Sequence, residues 1–247
     1  MAENMFEISP DGKTLKVVTN GGYQETMVVP DGVQKIAKEA FRKNLAYGGH
    51  VLKKVVLPEG LKTIGVGAFS KCKTLEGINL PDTLTKIEDE AFLGCKALAA
   101  ITIPAKLKAI GGSAFCGCPL TVVSFADGSK LTEIGEQAFK GVPIQTLTIP
   151  KGVKKLGSWA FAGCKSLKTV VLPEGIELFD GYEIFARCEA LESINIPASL
   201  TNLGYKAFKG CTSLKNIIVD PNNPSYIMKD GKLMTKDLQK QIFPVEE

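Results

Sequence analysis

Apolar residues return along this chain at fixed offsets. Counting from Pro81, they fall at +3 (Leu84), +6 (Ile87), +11 (Phe92), +14 (Cys95), +17 (Leu98), +20 (Ile101) and +22 (Ile103). Pro104 then restarts the series, and polar or small residues fill most places between. Later units keep the pattern: Val153, Leu156, Phe161, Cys164, Leu167, Val170 and Leu172 in one, Leu200, Leu203, Phe208, Cys211, Leu214, Ile217 and Val219 in another. One column makes the period plain. Phe69, Phe92, Phe115, Phe139, Phe161, Phe185 and Phe208 follow at spacings of 23, 23, 24, 22, 24 and 23 residues, and Phe41 precedes them by a longer step. A period in the twenties means a stacked solenoid, whose units cannot bury their apolar faces alone and do so against their neighbours.

The offsets carry local structure. Positions +20 and +22 differ by two, so both side chains point to one face of an extended strand. They are Val, Ile and Leu, as a buried face needs, and the proline that follows ends the strand because it has no N–H for the ladder. Between +7 and +14 a unit reads Glu88-Asp89-Glu90-Ala91-Phe92-Leu93-Gly94-Cys95. Acidic residues first, helix formers inside and glycine near the end predict about one to two turns of helix. Each unit is then strand, turn, a second short extended piece, short helix and return. Extra residues interrupt the register at 42–51, around Asp127-Gly128 and around Asp180-Gly181, and one residue is missing after Cys118 and after Val142. Surface loops are expected at these places.

The string Leu-x-x-Ile-x-x-x-Ala-Phe-x-x-Cys-x-x-Leu-x-x-Ile-x-Ile-Pro resembles the leucine-rich repeat of the bacterial BspA-like surface proteins, also called the Treponema pallidum type. The resemblance covers about residues 28–220. It implies an α/β architecture: a right-handed solenoid of about eight repeats of 22–24 residues, parallel strands on one face and short helices on the other. The ends resemble this family's caps. Phe6 to Leu15 reads as a hairpin around Asp11-Gly12, and the stretch from Asp220 through Tyr226 to Leu233 reads as another around Asp230-Gly231. The expected organisation is a cap at 1–27, the solenoid at 28–220 and a second cap at 221–247, in one continuous structural domain. Family members are typically adhesion or host-interaction proteins. The resemblance therefore implies a protein partner, on a host or neighbouring cell, and no cofactor. It brings no catalytic motif to carry over.

Composition narrows the choices. Hydrophobic residues make up 45% of the 247, the net charge is +4, and lysines are interspersed with Glu and Asp. A nucleic-acid binder would carry a denser basic stripe, and the only arginines are Arg42 and Arg187. No apolar run approaches the ~20 residues of a membrane-spanning helix. The first residues, Met1-Ala2-Glu3, lack the basic start and apolar stretch of an export signal. Two locations stand open: the cell surface or medium if such a signal has been removed, otherwise the cytoplasm. A monomer is expected.

Seven cysteines suggest disulfides or metal at first sight. The repeat argues otherwise. Cys72, Cys95, Cys118, Cys164, Cys188 and Cys211 each lie three residues after a column Phe, and Val142 occupies the same place in one unit. The site wants a small apolar side chain, and free Cys behaves as one. A ladder of stacked thiols cannot pair all its members, and a chain with one histidine, His50, offers no tetrahedral zinc set. No metal is expected. Cys116 falls outside the column and is the candidate for a reactive thiol.

Three surfaces could bind. Residues alternating with the buried strand pair face outward: Lys54/Val56, Gly77/Asn79, Ala100/Thr102, Val122/Ser124, Thr146/Thr148, Thr169/Val171, Ser193/Asn195 and Asn216/Ile218. Asn79, Thr102, Ser124, Thr146, Thr148, Thr169 and Asn195 make this face hydroxyl-rich and nearly uncharged. It is either a β surface with the usual taste for Thr and Val or a docking surface for a protein or glycan. The second surface is aromatic: Trp159, Tyr182 and Tyr205 precede their column Phe in consecutive units and should lie together, as a sugar-stacking patch or as cover for the loop at Asp180-Gly181. The third is a basic row, Lys62, Lys86, Lys108, Lys154 and Lys155, a solvated edge or a match for an acidic partner. No nucleophile–base set, phosphate loop or paired carboxylates stand out, so an enzyme is not expected. The remaining class is recognition: adhesion to another protein at a bacterial surface, a carbohydrate-binding solenoid on the aromatic patch, or an intracellular scaffold.

Overall fold

The computed structural model describes residues 5–19, 23–42 and 51–244. His50 and most of the first irregular segment lie outside the described residues. The chain winds as a β-solenoid of about eight turns. Each turn contributes two short strands. The strands at +5 to +6, among them Lys86–Ile87, Ala109–Ile110, Glu133–Ile134 and Lys155–Gly157, belong to one nine-stranded sheet. Within the solenoid it is parallel, with Ile64, Ile87, Ile110, Ile134 and Leu156 in register and buried. The strands at +19 to +22 form a second face in three separate pieces. Thr26–Val28, Lys54–Val56 and Gly77–Ile78 pair together; Ala100–Ile103 pairs with Val122–Phe125; Thr146–Thr148, Thr169–Val171, Ser193–Ile196 and Asn216–Val219 form the third.

The helix predicted at +7 to +14 is not there; no α-helix occurs among the described residues. The residue two before each column Phe shows why. Glu39, Gly67, Glu90, Ser113, Gln137, Trp159, Glu183 and Lys206 all have φ between 51° and 59°, against about −63° in a right-handed helix. The left-handed turn aims amides along the stack. Glu90 N–H donates to Gly112 O at 2.7 Å and Phe92 N–H to Ala114 O at 2.8 Å, so donors that a helix would use internally tie one turn to the next. A left-handed L-residue costs roughly 1–2 kcal/mol; the hydrogen bonds it sets up are of similar individual worth. Short intra-turn bonds such as Leu93 N–H to Glu90 O complete the local accounting.

The core is a column of stacked rings. From Phe41 to Phe208 the centroids are 4.4, 5.2, 5.1, 5.2, 5.5, 5.6 and 6.2 Å apart, and from Phe69 onward the planes lie within 11° of parallel. The thiol column runs beside it. Cys95, Cys118, Cys164, Cys188 and Cys211 each donate S–H to the carbonyl of the Phe in the preceding turn, at 3.0–3.3 Å. The site therefore accepts a small apolar side chain, as Val142 shows, and rewards one with a weak donor. For the first ring the donor is the buried Tyr23 hydroxyl, which bonds Phe41 O. All seven cysteines are free thiols.

At the N-terminal end Phe6–Ile8 and Thr14–Val18 form an antiparallel pair, and the second strand continues the nine-stranded sheet by pairing with Lys35–Ile36. At the C-terminal end Tyr226–Lys229, Lys232–Thr235 and Gln241–Phe243 form a three-stranded antiparallel sheet, one strand more than the expected hairpin. Asn223 anchors it: its side-chain amide donates to Pro197 O and Leu200 O and its carbonyl accepts from Ser225 and Tyr226.

Candidate functional site

The outward positions of the interrupted face lie where alternation puts them. Thr102, Ser124, Thr146 and Thr148 are exposed, and Thr169 and Asn195 half-exposed. Their chemistry divides them. Asn79 accepts from Leu57 N–H at 2.8 Å and donates to Leu57 O at 3.1 Å; Asn195 does the same to Leu172 at 2.7 and 2.8 Å. Each stands one residue past the end of a ladder, at Ile78 and Ile194, and its carboxamide replaces the missing main-chain pair. Both amides are thus committed to the scaffold. The hydroxyls of Thr102 and Ser124 bond each other at 3.0 Å.

Thr146 and Thr148 border a cleft. Their strand follows Val122–Phe125 by one turn, yet no main-chain hydrogen bond joins the two among the described residues. The neighbouring Glu133–Ile134 and Ala109–Ile110 strands stay paired, so the turns separate on this face alone. The cause is local sequence. One residue is missing after Cys118 and after Val142, and Ala126 to Lys130 bulge beyond the end of Val122–Phe125. The gap opens about 530 Å³, lined by Val123, Phe125, Asp127, Thr146, Thr148 and Lys151 among others. Val123 and Phe125 are only partly buried, whereas Ile101, Ile103, Leu147 and Ile149 in the flanking turns are fully buried. Sequence reasoning had the length break at Asp127-Gly128 as a signal but not the cleft that it opens.

The aromatic residues do converge. Trp159 and Tyr182 have ring centroids 6.2 Å apart, and Tyr182 and Tyr205 likewise 6.2 Å, edge to face. Tyr182 and Tyr205 are 56% and 53% exposed, so they do not serve the core. Lys206 Nζ sits 5.0 Å from the centre of the Tyr205 ring. The indole N–H of Trp159 donates to Glu183, whose other oxygen pairs with Lys209. Beside Tyr205 a pocket of about 300 Å³ is lined by Lys206, Gln239, Lys240 and Gln241, residues that the sequence pattern did not associate with the row because most of them come from the C-terminal segment.

The basic row is exposed but not continuous. Lys86 pairs with Glu88 and Lys154 with Glu177, and Thr85 and Thr132 stand between its members. Cys116 is partly buried, and burial raises its thiol above the ordinary value despite the opposing charges of Lys140 and Lys96. That is the wrong direction for a reactive thiolate. Burial pushes the Cys72 thiol up to about 12. Among the described residues no three His, Cys, Asp or Glu side chains are grouped to hold a metal, and no helix is long and apolar enough to cross a membrane.

A family model described as BspA type leucine rich repeat region matches residues 19–141 and 132–244 in six copies. A solved leucine rich repeat protein of T. pallidum is 27% identical, with a TM-score of 0.58 over 87% of this chain and 89% of that one. A leucine-rich repeat protein from Bacteroides ovatus is 23% identical, with a TM-score of 0.50 over 87% of this chain and 69% of that one, which is a likeness of fold alone. No curated protein matches in sequence at a significant level.

Proposed function

Because the chain belongs to the BspA-type leucine-rich-repeat family, a family of repeats generally engaged in protein–protein interaction, we propose that it binds another protein at a bacterial cell surface. The binding face is the interrupted one, centred on the cleft between Val122–Phe125 and Thr146–Thr148. The observation that carries this reading is the missing ladder across that cleft. Within each of the three pieces of the face neighbouring turns satisfy each other's N–H and C=O groups; a second break lies between Gly77–Ile78 and Ala100–Ile103, but there Ile101 and Ile103 stay buried. Across the cleft no such main-chain pairing occurs among the described residues, and an extended polypeptide supplies donors and acceptors in the alternation that a strand edge requires. The partly buried Val123 and Phe125 add an apolar floor, and Ser124, Thr146 and Thr148 hydroxyls flank it. Such a surface favours an uncharged segment of the partner, on a neighbouring or host cell. Nothing in the site suggests catalysis.

The test is binding to cell-surface proteins captured on the immobilised chain and identified. The double variant T146E/T148E places two carboxylates on the cleft at exposed positions. It should abolish capture of the identified partner, while Y182A, on another surface, leaves it intact. Hydrogen exchange of the complex should slow amides at 122–125 and 146–148. A partner that binds T146E/T148E normally, or protects other amides, refutes the reading.

A further inference from the structure

The aromatic row is chemically unlike the cleft, and the difference identifies its ligand. Its main chain is fully engaged. Trp159 N–H donates to Tyr182 O, Glu183 N–H to Tyr205 O, Tyr205 N–H to Gly181 O, and Tyr182 N–H to the Ser158 hydroxyl. No strand edge is open there to an extended peptide among the described residues. What the row offers instead is ring surface, phenol hydroxyls, side-chain amides and ammonium groups. The rings step along the stack at 6.2 Å and again 6.2 Å, about one ring for each unit of a linear saccharide, whose C–H faces lie against aromatic rings and whose hydroxyls bond at their edges.

Charge narrows the class further. The carboxylate within the row's own bonding network, Glu183, already holds Trp159 and Lys209. Lys206 lies over the Tyr205 ring, and Lys240 lines the adjoining pocket with Gln239 and Gln241. Neither Lys206 nor Lys240 makes an ion pair among the described residues. The end of the row is therefore a cationic, amide-lined recess of about 300 Å³, suited to a carboxylate on a sugar. We propose that Trp159, Tyr182 and Tyr205, closed by Lys206 and Lys240, bind an acidic oligosaccharide. This site is separate from the cleft, and its success or failure does not decide the protein-binding reading.

Trp159 is the sole tryptophan and reports directly. The full chain is titrated with hyaluronan hexasaccharide, with the neutral N-acetylglucosamine hexamer and with a decaproline peptide, following Trp159 emission. Hyaluronan should shift the emission saturably, and the neutral hexamer should bind about tenfold or more weakly, since one lost charge-assisted contact is worth about that factor. Y182A and Y205A should each weaken hyaluronan about tenfold, with urea midpoints unchanged because both side chains are exposed. K206Q with K240Q should erase the preference for the acidic sugar while leaving the neutral one as before. A flat response to hyaluronan, equal affinity for the two sugars, indifference to Y182A and Y205A, or preference for decaproline overturns the proposal.

Discussion

Replacing Phe115 by alanine removes an interior ring of the column, the fourth of eight. The ring is fully buried, 5.1 Å from Phe92 and 5.2 Å from Phe139, and nearly parallel to both. A Phe→Ala change in a packed core costs about 3–5 kcal/mol. Stacked pairs contribute about 0.5–1.5 kcal/mol each beyond area burial. This site loses two of them, so the expected cost is at the upper end, about 4–5 kcal/mol. Phe208 is the internal comparison. It has one stacked neighbour, Phe185 at 6.2 Å, and meets Phe243 edge-on at 6.2 Å. With a looser site able to relax, Phe208→Ala should cost about 3 kcal/mol.

The position along the stack matters as much as the sum. In a solenoid each turn contacts only its neighbours, so F115A weakens two interfaces in the middle and divides the array. Urea unfolding followed by far-UV circular dichroism and by Trp159 fluorescence tests this. The two probes should coincide in the unmodified chain and diverge in F115A, because Trp159 reports the C-terminal half alone. At about 2–4 °C per kcal/mol for a chain of this size, F115A should also lose about 10 °C or more in Tm. If F115A costs less than about 2 kcal/mol, or no more than F208A, the ring column is not what couples the turns.

Three other predictions rest on different elements of the scaffold. The buried Cys72 thiol, raised to about 12 from 9.0, stays protonated when folded and ionises when unfolded. Its stabilisation is therefore complete below about pH 9 and lost as pH rises towards 12, at up to about 1.4 kcal/mol per pH unit. Urea midpoints from pH 8 to 11 should fall less steeply in C72V, and native-state alkylation should reach Cys116 before any column thiol. Asn195→Ala strips Leu172 of both side-chain partners and should cost about 1–3 kcal/mol without affecting capture of the protein partner; lost capture at unchanged stability would move Asn195 from scaffold to site. Gly111→Ala would bring a Cβ to 2.5 Å from backbone atoms of Glu88 and Asp89 and should cost about 1–3 kcal/mol, measured the same way.

The ring and thiol columns, the strand pair and the convergence of Trp159, Tyr182 and Tyr205 were legible because each is a matter of equal offsets in equal repeats. The helix was misread for a physical reason. Glu88 to Leu93 has helix-forming composition, and only Gly67 in the −2 column advertises positive φ; Glu, Gln, Ser, Lys and even Trp occupy it elsewhere. What imposes that conformation is hydrogen bonding to the next turn, which no window of local sequence contains. Asn79 and Asn195 read as outward polar residues for the same reason: their bonds lead to Leu57 and Leu172, 22 and 23 residues earlier. Lys240 and its pocket required the path of the C-terminal sheet. The cleft required knowing that extra residues at Asp127-Gly128 spread the turns on a single face and leave the opposite sheet closed.

That last asymmetry connects scaffold to function. The nine-stranded sheet and the rings run through the sites where the other face is broken, although the thiol–carbonyl series lapses at the cleft, where Val142 stands in the thiol column. Cohesion between turns therefore does not depend on the strands that carry Thr102, Ser124, Thr146 and Thr148. A face that is not needed for stacking can lose a ladder, admit an insertion or change its side chains at small cost in stability. The Asn79 and Asn195 clamps fit this view, because they repair the ladder with side chains where pairing stops. The prediction this division makes is comparative. Substitutions on the interrupted face, T146E and T148E among them, should shift binding with unfolding midpoints nearly constant, the usual result at exposed positions. A change that disturbs the continuous sheet at a half-exposed position, such as Thr63→Pro, should unfold the stack. Thr63 N–H donates to Gln34 O in the preceding turn, and proline removes that donor from a central strand. Equal sensitivity of the two faces would mean that the cleft is held open by the fold as a whole rather than left free by it.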